Sequence, residues 1–284
     1  MKYTVIADSC CSLFSKDLNS EKIDFHVAPL TLILENEEFV DDENLDTKMF
    51  VEKMNAQKTV ARSACPSPET YADIMRKGDN IIIVALSSKL SGTHASAMTA
   101  AAMIKEEFPQ KKLFVLDSLL AAAGLDHLVL KVQDLIECGE YDFEGITDIL
   151  SEYRAKTHVR FLLQDIGNLV KNGRMSKMVG KILSTAKIKL VCGDDGQGEI
   201  KKYAMSLGTR RGLQAMAELP AKDMGTERSE PITITHVHNE EEASFLRSLL
   251  ESKFGFKNIR VRLMRGLSSL YSADKGIVIA YTVK

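Results

Sequence analysis

Short aliphatic segments alternate with helical segments through the first half of this 284-residue chain. Four of the aliphatic segments have the length and the β-branched composition of strands. They are YTVIAD (3–8), FHVAPLTLIL (25–34), NIIIVAL (80–86) and KLFVLDS (112–118). Helical periodicity fills 47–55, 68–77, 93–107 and 119–138. Strands that alternate with helices form a parallel sheet covered by helices, so the pattern predicts an α/β domain with a Rossmann-like sheet.

The second half of the chain follows a different pattern. It begins after SEYRAKTHVR (151–160), a charged segment that we interpret as a helix end and a domain boundary. Beyond it the sequence predicts helices at 175–186, 209–219 and 240–254, a charged linker at 220–230, and strands at 187–193, 200–208, 231–238, 258–264 and 276–283. The turn DDGQGE joins the first two strands as a hairpin. We therefore predict two domains, 1–155 with a parallel sheet and 156–284 of the α+β class with a mixed or antiparallel sheet.

Charge and composition exclude two broad classes of function. Lys and Arg number 37 against 39 acidic residues, and a net charge of −2 attracts no nucleic acid. No apolar run approaches the roughly 20 residues of a membrane span, and the N-terminal segment reaches Asp8 before a signal-peptide core could form. The five cysteines are odd in number and lack zinc-site spacing, which is typical of reduced thiols. We expect a cytoplasmic protein without a metal.

Small hydroxyl residues are concentrated in four loops that we place at the carboxyl ends of strands. These loops are ADSCCS, ARSACPSP, LSSKLSGT and LDSLLAAAG. Ligands of open parallel sheets bind at this edge. The predicted helix start at 91–93 offers unpaired backbone N–H groups, and Gly92 lets a ligand approach the main chain. The loops therefore predict an anion site, although ordinary helix capping would explain any one of them.

A carboxylate fits this site better than a phosphate does. The phosphate-binding pattern G-x-x-x-x-G-K is absent, and Lys89 is the only cation nearby. The helical segments HASAMTAAAMI and SLLAAAGLDHLVL are rich in Ala, Met and Leu, which is consistent with an apolar slot between two helices, lined by methionines, although tight packing of the helices on the sheet would explain most of these residues. Burial of a chain of roughly 16 carbons contributes on the order of 10 kcal/mol. The pattern therefore indicates a long-chain acid as ligand.

A series of motifs in this sequence resembles the DegV family. The motifs are IADSCCSL, VAPLTLIL with FVDDENLD, SACPSPETY, LSSKLSGTHASA, VLDS followed by AAAGL, LVKNGRMSK, GTRRGLQA and HVHNEEEA. They occur in the family's order and cover nearly the whole chain. DegV proteins of the FakB type are the fatty-acid-binding partners of bacterial fatty acid kinase.

The resemblance implies a carrier rather than an enzyme. Such a protein buries a long-chain fatty acid and presents its carboxylate to a separate fatty acid kinase, and the resulting acyl-phosphate feeds phospholipid synthesis. The resemblance also implies that the fatty acid is the bound ligand, that no cofactor is needed, and that membrane contact is transient.

The same resemblance assigns residues to the carboxylate site. The hydroxyl of the family's T-S-Q-P-S turn falls on Ser63, with Cys65 in place of the usual Gln, and the seryl-glycine turn falls on Ser91 and Gly92. Many members carry T-H-T-G-P-G near the C-terminus, whose His helps to hold the carboxylate. Here the segment reads RGLSSLYSADKG, which places Tyr271 at that His. A register shift of a few residues would place Ser268 or Ser269 there instead.

Other positions have looser assignments. Arg174, in NGRMS, and Ser9, in ADSCCS, are candidates for the head-group site or for the domain interface, and a salt bridge would equally explain Arg174. Arg210 and Arg211, with Lys201 and Lys202 upstream, form a basic patch that is a candidate docking site for the kinase.

The alternative is a cytosolic α/β enzyme whose helix N-terminus binds a small carboxylate or phosphate. A thiol nucleophile would come from Cys10, Cys11 or Cys65, with His94, His236 or His238 as base. The HVH segment at 236–238 would place two imidazoles on one face of a strand, as in a metal pair. A nucleotide-binding enzyme is disfavoured because no G-x-G-x-x-G follows the first strand.

Overall fold

The computed structural model describes residues 2–18, 20–175 and 188–284, and the statements below concern these residues. Nearly all of the helix predicted at 175–186, and the first residue of the strand predicted at 187–193, lie outside them.

The N-terminal half contains the predicted parallel sheet. Its strands are β1 (Tyr3–Asp8), β2 (Ile23–Ala28), β6 (Asn80–Ala85) and β7 (Lys112–Asp117), in the order β2-β1-β6-β7. Every pairing in this sheet is parallel. The helices are α1 (Thr47–Ala56), α2 (Pro68–Met75), α3 (Thr93–Glu107), α4 (Ala123–Cys138) and α5 (Phe143–Ala155). The prediction of a parallel α/β sheet is therefore confirmed.

A small antiparallel sheet was not foreseen from the sequence. The segment predicted as one strand at 25–34 forms two, β2 and β3 (Thr31–Leu34), because Pro29 lacks the N–H that a continuing ladder needs. Strand β3 pairs antiparallel with β4 (Glu37–Val40) and with β5 (Arg62–Ala64). The sequence reading missed β4 and β5, which are short and largely exposed.

The C-terminal half contains a mixed sheet, as predicted. Its strands are β8 (Thr157–Leu162), β9 (Ile188–Asp194), β10 (Ile200–Leu207), β11 (Ile232–His236), β12 (Ile259–Leu263) and β13 (Ile277–Thr282). The order is β10-β9-β8-β13-β11-β12, and within it β11 and β12 are parallel. The helices are α6 (Gly167–Lys171), α7 (Thr209–Asp223), α8 (Glu240–Ser252) and α9 (Gly266–Ser272).

Three details of this half differ from the sequence reading. Strand β8 begins inside the charged segment 151–160, because the buried Arg160 is paired with Asp194 rather than exposed. Helix α7 continues through Pro220 to Asp223, so the predicted linker at 220–230 starts later. Helices α6 and α9 were not predicted at all.

The two halves share one core. Helix α4 packs against β1 and β6 on one side and against β11 and β13 on the other. One cluster of buried side chains accordingly includes Val5 from the first sheet and Val278 from the second. The proposed boundary between residues 155 and 156 falls between α5 and β8 and stays a prediction. No helix within the described ranges is long and apolar enough to cross a membrane.

Candidate functional site

A cavity of about 380 Å³ opens where the carboxyl ends of the parallel strands meet the C-terminal sheet. Its volume lies in the range of roughly 300–1,000 Å³ that is common for small-molecule sites. Most of the wall is aliphatic or aromatic and comes from both halves of the chain. Examples are Leu86, Leu120, Ala122, Phe161, Leu267 and Val278.

Five of the six residues predicted as head-group candidates line this cavity. They are Ser63, Ser91, Gly92, Arg174 and Tyr271. Ser63 lies on β5 and Tyr271 on α9, and their hydroxyl oxygens are 3.2 Å apart. The structure therefore brings together side chains that are 208 positions apart in the sequence.

The predicted anion site at the start of α3 is occupied in part by the helix's own capping contacts. The Ser91 hydroxyl accepts a hydrogen bond from the Thr93 N–H at 3.3 Å and lies 2.8 Å from the Thr93 hydroxyl. Gly92 has an ordinary φ of −72°, so its backbone conformation does not require glycine. A Cβ at this position would lie 3.4 Å from the Cys65 sulfur. The glycine therefore contributes open space beside the main chain.

Arg174 connects the C-terminal half to the loop before α3. Its Nε donates to the Leu90 carbonyl at 3.1 Å, and Nη1 donates to the Asn172 carbonyl. It is half-buried and lines the cavity. This position is compatible with both predictions made for Arg174, a place in the domain interface and a place near the ligand head group.

Of the other predicted residues, Ser9, Arg210 and Arg211 lie apart from the cavity wall, whereas Ser268 is part of it. Ser9 is fully buried and accepts a hydrogen bond from the Leu30 N–H at 3.0 Å. Arg210 and Arg211 are exposed on α7, and Arg210 is paired with Glu241 and Glu242. Of the two serines considered for the place of Tyr271, Ser268 lines the cavity and donates to the Cys10 carbonyl at 2.9 Å.

The expected slot between α3 and α4, lined by methionines, is wrong. Helix α3 adds only its N-cap, Gly92, to the wall, and α4 adds the loop 119–122 that precedes it. Met98 of α3 is 48% exposed, on the outside of the molecule. Among the described residues no methionine lines the cavity. The apolar wall comes instead from strands β8 and β13 and from leucines of the loops.

The thiol-enzyme alternative is not supported by the cysteines nearest the strand ends. Cys10 and Cys11 are buried, and desolvation together with neighbouring carboxylates raises the pKa of each thiol far above its usual range. A neutral thiol is a poor nucleophile. Cys65 is exposed at the cavity wall without a paired histidine in the described structure.

The interpretation of His236 and His238 as a pair of metal ligands is also wrong. His236 is buried on β11 and accepts a hydrogen bond from the Asn239 N–H at 3.2 Å. His238 lies beyond the strand end at φ 41°, so the two imidazoles do not share a strand face. Within the residues that the structure covers, no group of three metal-binding side chains comes together.

Asp8 is a structural residue of the site that the sequence reading did not single out. It is fully buried, and its carboxylate accepts from the Cys10 N–H at 3.0 Å and the Leu86 N–H at 2.6 Å. Burial raises the pKa of Asp8 to about 7, against the effect of these two hydrogen bonds. Because Cys10 and Leu86 both line the cavity, Asp8 fixes two wall residues from different loops. The acid at the end of the strand YTVIAD was the available signal.

The hairpin between β9 and β10 closes one side of the cavity. Gly198 in its turn has φ +89°, and a Cβ there would lie 2.9 Å from the Lys89 Cγ and 3.1 Å from the Ser87 Oγ. The turn therefore packs directly on the loop that precedes α3. Glycine is required there both for the left-handed backbone and for the close approach.

These features define an α/β protein with an interior, largely apolar cavity whose wall carries the Ser63 and Tyr271 hydroxyls. The DegV family model matches residues 2–282, and the chain belongs to the DegV family. The resemblance read from the sequence motifs is therefore confirmed.

Relatives and solved structures match over the full length. A DegV domain-containing protein of Streptococcus gordonii is 32% identical over 287 residues, covering 100% of both chains. The fatty acid kinase (Fak) B3 protein of Streptococcus pneumoniae, loaded with linoleic acid, has a TM-score of 0.95 at 31% identity, with 100% of each chain covered. A DegV family protein of Ruminococcus gnavus with vaccenic acid has a TM-score of 0.91 at 29% identity, covering 98% of this chain and 99% of that one.

Proposed function

We propose that this protein is a carrier that binds one long-chain fatty acid in the cavity between its two sheets. The carboxylate lies at Ser63, Ser91, Gly92 and Tyr271, and the chain lies along the apolar wall. The observation that carries this proposal is the interior cavity itself, whose largely apolar wall also carries the Ser63 and Tyr271 hydroxyls 3.2 Å apart. The fatty acids bound to the Streptococcus pneumoniae and Ruminococcus gnavus proteins support the same ligand class.

The energetics favour such a ligand. Each buried methylene contributes about 0.8 kcal/mol, so the chain supplies most of the affinity. A buried carboxylate without partners costs several kcal/mol, and hydrogen bonds to the charged group return about 1.5–3 kcal/mol each. The Ser63 and Tyr271 hydroxyls and the N–H groups at the start of α3 are the donors that offset this cost. A phenol donates this hydrogen bond without adding a positive charge.

We further propose that the protein presents the bound acid to a separate fatty acid kinase and has no catalytic residues of its own. The description of the Streptococcus pneumoniae relative as a fatty acid kinase B protein supports this role. The carboxylate end of the cavity lies at the loops rather than deep in the core, which is where a partner enzyme could reach it. The protein acts in the cytoplasm, with transient contact at the membrane where fatty acids are exchanged.

Extraction under denaturing conditions, followed by mass spectrometry, tests the ligand. The carrier proposal expects about one fatty acid per chain, because burial of the whole acyl chain makes release slow. A protein that yields no lipid and that binds a small carboxylate or phosphate ester in titrations would instead support the enzyme alternative.

Loss of kinase docking is expected when Arg210 and Arg211 are both replaced by Ala. Acyl-phosphate production by the fatty acid kinase should fall about tenfold or more, while the amount of bound fatty acid stays unchanged. The control is Arg247→Ala, which removes an exposed arginine from α8 that is paired with Glu251. Equal production by the double variant and the control would show that this patch does not dock the kinase.

Release of the ligand is expected to accelerate in Gly198→Ala. The added methyl group would displace the hairpin turn from Ser87 and Lys89 and so open one wall of the cavity. The matched control is Gly196→Ala in the same turn, which has φ +86° and nothing within 4 Å of an added Cβ. Exchange of a bound fluorescent fatty acid measures both rates. If both variants exchange equally fast, strain in the turn rather than packing on the loop is responsible.

A further inference from the structure

The distance between the Ser63 and Tyr271 hydroxyls depends on how α9 is placed. Ser63 belongs to the small sheet β4-β3-β5 of the N-terminal half, whereas Tyr271 belongs to a helix of the C-terminal half. The two side chains meet at 3.2 Å. A group that fixes α9 against the small sheet therefore fixes the head-group site.

Asp41 is such a group. It directly follows β4, and its own N–H donates to the Leu30 carbonyl at 2.9 Å, which anchors it beside the start of β3. Its carboxylate accepts from the Gly266 N–H at 2.9 Å and from the Leu267 N–H at 2.8 Å, the first two N–H groups of α9. Asp41 is fully buried, so these bonds are not shared with solvent.

The contact between α9 and the sheet is tight. A Cβ on Gly266 would lie 2.6 Å from the Leu32 Cδ1 and 2.7 Å from the Asp41 Oδ1. Leu32 is the residue of β3 that pairs directly with Ser63. The helix start is thus pressed against the strand that positions Ser63.

Further contacts hold the same helix. The Arg265 guanidinium donates to the Asp41 carbonyl at 2.9 Å and to the Leu13 carbonyl at 3.2 Å. At the other end, the Asn168 side-chain amide donates to the Leu270 carbonyl at 2.9 Å. Within this arrangement Asp41 holds the end of the helix that faces the small sheet, and Tyr271 lies one turn beyond.

We propose that Asp41 is a positioning residue for the head-group site, a role that rests on the proposed binding of a fatty acid. Its buried carboxylate fixes the start of α9 to the small sheet, so that the Tyr271 hydroxyl reaches the Ser63 hydroxyl and the two together bind the ligand carboxylate. Asp41 itself touches no ligand atom. Its loss should therefore weaken recognition of the carboxylate and leave binding of the acyl chain intact.

The test compares two ligands of equal chain length, myristic acid and tetradecanol, in Asp41→Asn and in the wild-type protein. Asn keeps the shape but loses one charged acceptor, so we expect affinity for the acid to fall about tenfold and affinity for the alcohol to change less than about twofold. The matched control is Asp42→Asn, because among the described residues the Asp42 carboxylate accepts a hydrogen bond from the nearby Asn44 N–H alone, at 2.8 Å, and from no residue of α9.

A double-mutant cycle with Tyr271→Phe completes the test. If Asp41 acts through Tyr271, then Tyr271→Phe should cost little in the Asp41→Asn background, because the phenol is already displaced. Fully additive losses, or equal losses for the acid and the alcohol, would overturn the proposal. If Asp41→Asn does not melt cooperatively, Gly266→Ala replaces it, with the same selective loss expected.

These outcomes separate the positioning role from the ligand assignment. If wild-type protein binds neither myristic acid nor tetradecanol, the proposed function fails. If wild-type protein binds the acid and Asp41→Asn keeps the wild-type preference for acid over alcohol, only the role of Asp41 fails.

Discussion

Removal of both paired hydroxyls, by Ser63→Ala together with Tyr271→Phe, is expected to weaken fatty acid binding by about 2–4 kcal/mol, roughly 30-fold to 1,000-fold. Each single replacement deletes one donor to the carboxylate and should cost about 1–3 kcal/mol. The double loss should be smaller than the sum of the two, because the hydroxyls lie 3.2 Å apart and share a partner. Displacement of a fluorescent fatty acid measures all three affinities.

The control for this prediction is Ser67→Ala. Ser67 is the N-cap of α2, two residues beyond Cys65 in the same loop, and its hydroxyl accepts from the Thr70 N–H outside the cavity wall. This variant should lose helix stability and keep its affinity. Unchanged affinity in the Ser63, Tyr271 double variant would remove the assigned head-group site. Unchanged acyl-phosphate production in Tyr271→Phe alone would mean that this ring serves only in packing.

The second large effect concerns His127 and the pH dependence of stability. His127 is buried on α4, with Nδ1 3.0 Å from the Thr233 hydroxyl and Nε2 2.8 Å from the Tyr153 hydroxyl. Burial lowers the pKa of His127 from 6.5 to about 3, with Arg260 and Lys131 adding to the shift. The folded state therefore excludes a proton that the unfolded state binds below pH 6.5. The contribution of His127 to the free energy of unfolding is therefore at its maximum above pH 6.5, and it is lost as the pH falls toward about 3.

Other buried groups act in the opposite direction. Burial raises the pKa of Asp8 to about 7 and that of Asp126 to about 6. Their contributions to stability are full below the unfolded carboxyl value of about 3.8 and are lost as the pH rises through these folded values. The pH dependence of wild-type stability is therefore the sum of these contributions. The contribution of His127 is obtained from the difference between the wild-type protein and a variant that lacks this histidine.

We expect His127→Gln to change the slope of stability with pH. For a group that is protonated only in the unfolded state, the free energy of unfolding changes by about 1.4 kcal/mol for each pH unit. Between pH 6.5 and 4 the wild-type protein should therefore lose roughly 3 kcal/mol relative to this variant, whatever the offset between them at pH 7. Urea unfolding across this range measures the difference. Parallel curves for the two proteins would contradict the assignment of a neutral His127.

Much of the fold was predictable because its signals are local. The β-branched runs at 3–8 and 80–86 identify strands, and the helix at 93–107 is bounded as predicted. The hairpin turn DDGQGE is also a local signal, because its two glycines, Gly196 and Gly198, are the residues at which the backbone has a positive φ. Short edge strands such as β4 lack a run of apolar β-branched residues, and their exposed polar residues resemble those of a loop.

The site was predictable only in part. Hydroxyl-rich loops at strand ends indicated the sheet edge at which the cavity opens, and the family motifs indicated Ser63, Ser91 and Tyr271, which line it. The apolar wall was placed wrongly, between helices, because helical faces rich in Ala and Met are equally good for packing on a sheet. Asp41 was missed because an acid in a loop usually faces solvent, and its burial depends on a helix that lies 225 residues later.

The sequence by itself determined the alternation of the main strands and helices, the collection of small hydroxyl residues in the loops at strand ends, and membership in the DegV family. Only the tertiary structure decided which residues enclose the cavity and that Ser63 meets Tyr271. The physical reason is that patterns of two to four residues set local backbone structure, whereas a cavity is the space left when distant elements pack. Its walls therefore depend on contacts such as Asp41 with α9, which no local pattern encodes.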